Sequence, residues 1–167
     1  MTSVLIAGVG GQGSIFAARL LGTTALNCGL NVRGSETIGM AQRGGSVTSH
    51  VRFSADEIAS PLIPPGRADV LIALEPTEGE RSRHYLCESG VSVSCDAGQR
   101  AEIIQRCGAK SLNVALLGAA AALGAFPFGL DELAETLRGF GKPQFIEQNI
   151  RALRLGAEMA REAAADG

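Results

Sequence analysis

Apolar and polar positions alternate between two periods along this chain. Val4 to Ala7 is an unbroken apolar run and reads as a buried strand. Ile15, Ala18, Leu21, Thr24 and Ala25 then recur at helical spacing, which predicts a helix from Ser14 to about Cys28, stopped by Gly29. Asn31 to Gly34 reads as a short second strand, so the chain opens like a βαβ unit. From Ser46 to Phe53 the period is two. Val47, Ser49, Val51 and Phe53 point one way; Ser46, Thr48, His50 and Arg52 point the other, the mark of a half-buried strand. Ala55 to Ile58 suggests a turn and a short return strand, giving a hairpin. Pro61, Pro64, Pro65 and Gly66 stiffen the connection that follows.

The second half repeats the alternation. Asp69 to Leu74 is a buried strand. Thr77 has Glu80 three residues on, the spacing of a capping box, and opens a helix to about Cys87. Val91 to Cys95 is a strand, Ala101 to Cys107 a short helix, and Ser111 to Asn113 a short strand or its end. Val114 to Gly124 is Ala-rich and helical, and Leu130 to Phe140 is an amphipathic helix broken at Gly141-Lys142-Pro143. The last helix carries Ile146, Ile150, Leu153, Ala157, Ala160 and Ala164 as one stripe. Strands alternating with helices predict an α/β, Rossmann-like three-layer domain over residues 1–167, with a mainly parallel sheet and one antiparallel hairpin. Ligands of such folds sit at the carboxyl ends of the strands. Three segments should meet there: Gly8 to Gly13, Glu36 to Gly45, and the residues after Leu74 and Leu112.

Composition narrows the classes. With 46% hydrophobic residues in 167, the chain can bury a core. A net charge of −2 argues against sequence-independent nucleic-acid binding. The apolar run Val114 to Phe128 is too short for a bilayer crossing. Met1-Thr2-Ser3 leads straight into a strand with no basic leader, so a cytoplasmic protein is expected. Cys28, Cys87, Cys95 and Cys107 contain no C-x-x-C pair, and His50 and His84 lie far apart. No metal site is expected, and the cysteines read as small buried residues.

The chemistry concentrates in Ile6-Ala7-Gly8-Val9-Gly10-Gly11-Gln12-Gly13. Gly8, Gly10 and Gly13 fit G-x-G-x-x-G between a strand and a helix. Bare amides at a helix start hold anions, since the first turn has unpaired donors; the same glycines also serve close packing. A dinucleotide site asks for an acid about 20 residues on. Cys28 stands 20 after Gly8, and Glu36 stands 28 after it. Gln12 can contact a ligand or hold a neighbouring loop. Residues Ser35 to Ser46 show no period and read as an ordered functional loop. Its one cation, Arg43, suits a carboxylate or phosphate, or pairs with Glu36. His50 reads as a surface or hairpin residue, and Glu75 as a strand-end acid or a helix starter. There is no nucleophile–base–orienter set.

The glycine turn followed by Ser35-Glu36-Thr37-Ile38-Gly39-Met40-Ala41-Gln42-Arg43-Gly44-Gly45-Ser46-Val47 resembles the gamma subunit or domain of the 2-oxoacid:ferredoxin oxidoreductases. The small (beta) subunit of indolepyruvate:ferredoxin oxidoreductase is the nearest type. The similarity continues through Ser60 to Pro64, Asp69 to Pro76, Asn113 to Gly118 and Glu147-Gln148-Asn149, nearly the whole chain. It departs at Ile38, where many relatives have His, and after Cys95, where this chain is shorter. The resemblance implies a subunit inactive alone, in a complex that oxidatively decarboxylates a 2-oxoacid to acyl-CoA. It implies a large partner carrying thiamine diphosphate and iron–sulfur sites, electron transfer to ferredoxin, and no nucleic acid or membrane. The isolated chain is expected either as a homo-oligomer or with an exposed apolar face where the partner docks. No cofactor is assigned to this chain alone. Gly8, Gly10, Gly11, Gln12, Gly13, Glu36, Met40, Gly44, Gly45 and Asn113 are the expected residues on the coenzyme A or substrate side, assisted by Gln42 and Arg43. Against this stand a free-standing dinucleotide-binding oxidoreductase or regulatory module, and an interaction domain whose glycines only pack.

Overall fold

The computed structural model describes residues 1–39 and 44–165. Five strands form one sheet in the order β2-β3-β1-β4-β5: β1 (Thr2–Val9), β2 (Asn31–Ile38), β3 (Ser46–Ser54), β4 (Ala68–Ala73) and β5 (Leu86–Val93). Six α-helices accompany them: α1 (Ser14–Asn27), α2 (Pro76–Ser82), α3 (Ala97–Cys107), α4 (Leu112–Ala122), α5 (Leu130–Arg138) and α6 (Ile146–Ala165). β3 alone runs against the rest. It pairs antiparallel with both β1 and β2, whereas β1–β4 and β4–β5 are parallel. The α/β class is as the sequence predicts, with four of the five strands running one way and one antiparallel excursion, but the hairpin is not the one expected.

The pleat of β1 sorts the core. Val4 and Ile6 face α1, α4, α5 and α6, where Leu20, Leu21, Val114, Leu117, Leu133 and Leu153 are fully or almost fully buried. Leu5 and Ala7 face the opposite side and pack with Ile63, Leu71, Tyr85 and Leu86. α1 ends in a Schellman motif, as the Gly29 stop implies. Leu30 N–H donates to the Ala25 carbonyl, Gly29 N–H donates to Leu26, and Gly29 takes φ 79°.

Several expectations fail for identifiable reasons. The second strand runs to Ile38, not Gly34, so Ser35 to Ile38 belong to a strand and the β2–β3 connection is only residues 39–45. β2 runs parallel to β1 but is not its neighbour, because β3 inserts between them. The hairpin is therefore β2–β3. Ala55 to Ile58 makes no return strand. The chain from Ile58 to Ile63 is held by side chains instead: Arg33 and Arg52 donate to the carbonyls of Ile58, Ser60 and Leu62, and His50 accepts from Ile63 N–H. Such bonds leave no hydropathy period to read.

The other differences concern where elements begin and end and one short segment expected as a strand. α2 starts with Pro76 after Glu75, not at a Thr77 cap, and stops at Ser82. β5 spans Leu86–Val93 rather than Val91 to Cys95. α3 begins at Ala97, four residues before the expected start, because Asp96 and Gln99 form a reciprocal capping box. Ser111 to Asn113 is helical, not extended. On α6 the stripe is buried only in part: Ile150, Leu153 and Ala157 are buried, but Ala164 is exposed.

Candidate functional site

The turn between β1 and α1 is built from its own side chain and backbone. Gln12 Oε1 accepts Val9 N–H at 2.9 Å, and Gln12 N–H donates to the Val9 carbonyl at 3.2 Å. A Cβ at Gly8 would lie 2.7 Å from Gln12 Oε1, so this glycine is needed for the turn to close. Gly13 takes φ 79° beside the Asn113 amide. α1 then starts with no side-chain cap and no acid in its first turn. By helix geometry the leading amides have no intrahelical acceptor, and the positive end of the helix dipole faces out.

Three segments contact this turn. Gly10 N–H donates to the Gly45 carbonyl at 2.9 Å, bringing in the end of the second loop. Gln12 Nε2 reaches Glu75 Oε2 at 3.4 Å, just after β4. Asn113 Nδ2 donates to the Gly13 carbonyl at 2.9 Å from the start of α4. Gln12 thus ties its own turn to the segment that follows β4. Asn113 is buried, and its Oδ1 accepts Val114 N–H at 2.8 Å. Both ends of its amide are engaged, so it positions the turn.

Other predicted residues fall elsewhere. Glu36 lies on β2 opposite Ser49, level with Ile6, and borders a different groove between α1 and β2. Met40, Gln42 and Arg43 lie outside the described residues, and so does a Glu36–Arg43 pair. Gly44 takes φ 73°, and no atom lies within 4 Å of a Cβ built there. His50 is not on the surface. It is buried on β3 against the edge of Tyr85, and burial pushes its pKa below the ordinary histidine value. Glu75 gives α2 no side-chain cap; its carboxylate sits between Gln12 and Arg100. Of the four cysteines, Cys95 and Cys107 are buried, Cys87 is half-buried and Cys28 is exposed. Burial raises the Cys95 thiol, outweighing the opposite pull of Arg100, so it is held as a thiol. Among the described residues no group of three His, Cys, Asp or Glu is arranged to hold a metal ion.

The turn opens on a cleft of about 460 Å³, within the range of about 300–1,000 Å³ usual for small-molecule sites. Gly11, Gln12 and Gly13 form one wall. Arg100 and Lys110 bring positive charge from the start of α3 and the turn before α4. Phe16, Ile104 and Phe145 supply apolar surface. Arg100 is steadied by donating to the Leu74 carbonyl at 2.6 Å. Among the described residues lining the cleft, none is poised as a nucleophile with its base. The lining combines positive charge and bare helix-start amides with apolar surface, a chemistry suited to an anion with an apolar extension.

A dinucleotide reading fails on topology. The acid that holds a ribose comes from the strand beside β1, at its carboxyl end. Here the strand beside β1 on that side is β3, which runs the other way and offers its amino end.

Residues 3–159 match the family described as pyruvate ferredoxin/flavodoxin oxidoreductase. The chain belongs to this family. Its relatives include indolepyruvate oxidoreductase subunit IorB of Archaeoglobus fulgidus, 32% identical over 95% of this chain and 94% of the relative. The same subunit of Thermococcus kodakarensis is 33% identical over 96% of each chain. The match to the first relative runs over 192 positions, more than the length of this chain, so that relative has residues with no counterpart here. The gamma subunit of a keto/oxoacid ferredoxin oxidoreductase from Geobacter sulfurreducens shares the fold, with a TM-score of 0.79 at 23% identity, covering 97% of this chain and 99% of that one. So does 2-oxoglutarate:ferredoxin oxidoreductase from Magnetococcus marinus, solved with 2-oxoglutarate, coenzyme A and succinyl-CoA. Its TM-score is 0.77 at 20% identity, and the match covers 96% of this chain but 31% of that one.

Within this family member, Arg100, Lys110, Phe16 and Phe145 were not legible as site residues. Arg100 and Lys110 stand between the segments that periodicity assigns to elements, and their place beside the turn depends on how α3 and α4 pack. The one available signal was the Asp96 capping box, which sets Arg100 in the first turns of a helix facing β4.

Proposed function

We propose that this chain is the small subunit of a multi-subunit 2-oxoacid:ferredoxin oxidoreductase, and that its glycine-turn cleft holds the phosphate end of coenzyme A. The uncapped start of α1 facing Arg100 and Lys110 carries the reading. Phosphate oxygens would take the α1 amides, as anions do at helix starts. The apolar wall of Phe16, Ile104 and Phe145 suits the rest of the ligand. Gly8, Gly10, Gly11, Gly13, Gly44 and Gly45 shape the cradle, Gln12 and Asn113 hold it, and Gln42 and Arg43 assist from the second loop. Thiamine diphosphate and iron–sulfur clusters belong on a large partner subunit, with ferredoxin served by the complex. The chain acts as one domain over residues 1–167, in the cytoplasm. Glu36 takes no part in the cradle.

Thermal shift of the purified chain tests the ligand. Coenzyme A at 100 times its dissociation constant adds about 2.7 kcal/mol, or roughly 5–10 °C for a domain of this size. Lys110→Ala should cut the shift while leaving the unliganded melting temperature unchanged. A shift with NAD and none with coenzyme A defeats the reading. The partner is tested by co-purification, and an isolated chain that turns over a 2-oxoacid overturns the subunit role. In the reconstituted complex, Arg43→Ala should lower acyl-CoA formation without unfolding this chain.

A further inference from the structure

β2 ends the sheet, and among the described residues no strand pairs with its outer edge. The edge is eight residues long and has no proline or bulge. A free row of N–H and C=O groups templates pairing with another strand, and proteins usually blunt it. The hairpin decides which groups point out. Gly39 N–H donates to the Ser46 carbonyl at 2.8 Å, continuing the register of Ile38 opposite Val47. Opposed residues of an antiparallel ladder alternate between bonded and non-bonded pairs. The odd-numbered residues of β2 therefore spend their backbone groups on β3. Val32, Gly34, Glu36 and Ile38 aim theirs outward.

The side chains of those same four residues share the α1 face. Val32 packs against the core beside Gly22 of α1. Next to it runs a groove of about 440 Å³ bordered by Arg19, Leu26, Val32, Gly34 and Glu36. Ile38 and Leu26 are 62% and 57% exposed.

We propose that a second copy of this chain covers this edge, the two β2 strands pairing antiparallel about a two-fold axis at Ser35. A two-fold axis normal to the sheet keeps each face on its own side, so even-numbered residues oppose even-numbered ones. Centred on Ser35, Val32 opposes the partner's Ile38, Gly34 opposes the partner's Glu36, and Arg33 opposes the partner's Thr37. Each outward-facing residue then has a hydrogen-bonding partner. Centring on Gly34 instead strands Ile38 and sets Val32 against an acid. In the Ser35 register the partner's Ile38 lies beside Val32 at the groove that Leu26 borders, removing apolar surface from water. The partner's Glu36 lies across from Gly34, which has no side chain to exclude it, in the groove bordered by Arg19. The two charges are opposite, and symmetry makes the pair twice. Arg33 never meets its own copy. The dimer does not depend on coenzyme A binding at the glycine turn.

Sedimentation of the full chain should show a reversible dimer. Gly34→Pro removes an outward amide only and leaves the β2–β3 ladder intact. It should keep the circular dichroism spectrum and weaken the dimer about tenfold or more, since two symmetry-related hydrogen bonds are lost. In a Cys28→Ser, Cys87→Ser background, Ser35→Cys should cross-link on mild oxidation, its Cα facing its own copy at about 4.5 Å across a non-bonded pair. Thr37→Cys should not, because it faces Arg33. A chain that stays monomeric to about 100 µM, or Thr37→Cys cross-linking as readily as Ser35→Cys, overturns the proposal. Protection of β2 amides that appears only when a different subunit is added assigns the edge to that subunit instead, and also overturns it.

Discussion

Asn113 shows how a polar residue can border a site and still serve the fold. Its Nδ2 holds the part-buried Gly13 carbonyl and its Oδ1 takes the buried Val114 N–H. Asn113→Ala leaves these groups without partners and should cost about 1–3 kcal/mol. Asn113→Asp should cost more, since a carboxylate oxygen would face the Gly13 carbonyl. Urea unfolding measures both. His50 makes a pH-dependent prediction. Buried, with Nδ1 accepting Ile63 N–H, it titrates below its unfolded value. The unfolded chain then binds more protons, so stability is full above about pH 6.5 and falls as the pH drops from there toward the lowered folded value. His50→Gln should flatten that part of the profile in denaturation midpoints between pH 5 and 7. The alternation of β3 placed His50 on the face opposite Val51 correctly. What covered that face was not legible, because Ile63 arrives from a segment without periodicity.

At the scale of elements, α4 and α6 cross with their backbones close. A Cβ at Gly118 would overlap the Leu153 carbonyl, and one at Gly156 would overlap the Ala115 carbonyl. An exposed helix gains about 1 kcal/mol from Gly→Ala. Here the sign should reverse: Gly118→Ala or Gly156→Ala should destabilise by about 1–3 kcal/mol, as overpacking does. Chemical denaturation decides it. The capping box of α3 gives a smaller effect. Asp96→Ala should cost about 1 kcal/mol, since Asp96 accepts Gln99 N–H at 2.8 Å. That box is visible in the sequence as Asp, two residues, then Gln. The apolar period of α3 becomes regular only after Ala101, so periodicity alone starts the helix four residues late.

On the scale of the whole molecule, the decisive feature is the insertion of β3 between β1 and β2. It takes the end of β2 away from the glycine turn, so an acid on that strand cannot reach a ribose there. It also leaves β2 as a free edge. The cleft is assembled instead from α1, the start of α3, and the turn leading into α4. Its positive groups are partly or fully exposed, so the affinity for an anion should fall with salt. A plot of coenzyme A affinity against ionic strength should be shallower in Lys110→Ala, as one exposed charge is removed.

The amino-acid sequence by itself determined the local elements whose burial is periodic. β1, α1, β3, β4 and α6 follow from apolar spacing, and the turn from its glycines, because these depend on neighbours along the chain. The family was legible for the same reason: its motif is two contiguous stretches. Only the tertiary structure decided which strands are neighbours, because hydrogen-bond pairing between strands leaves no mark in either strand's own period. It likewise decided that Glu36 borders a separate groove, that Asn113 spends its amide on the turn, and that Arg100 and Lys110 complete the cleft. Each of those placements rests on contacts between residues far apart in the chain, and no local pattern encodes them.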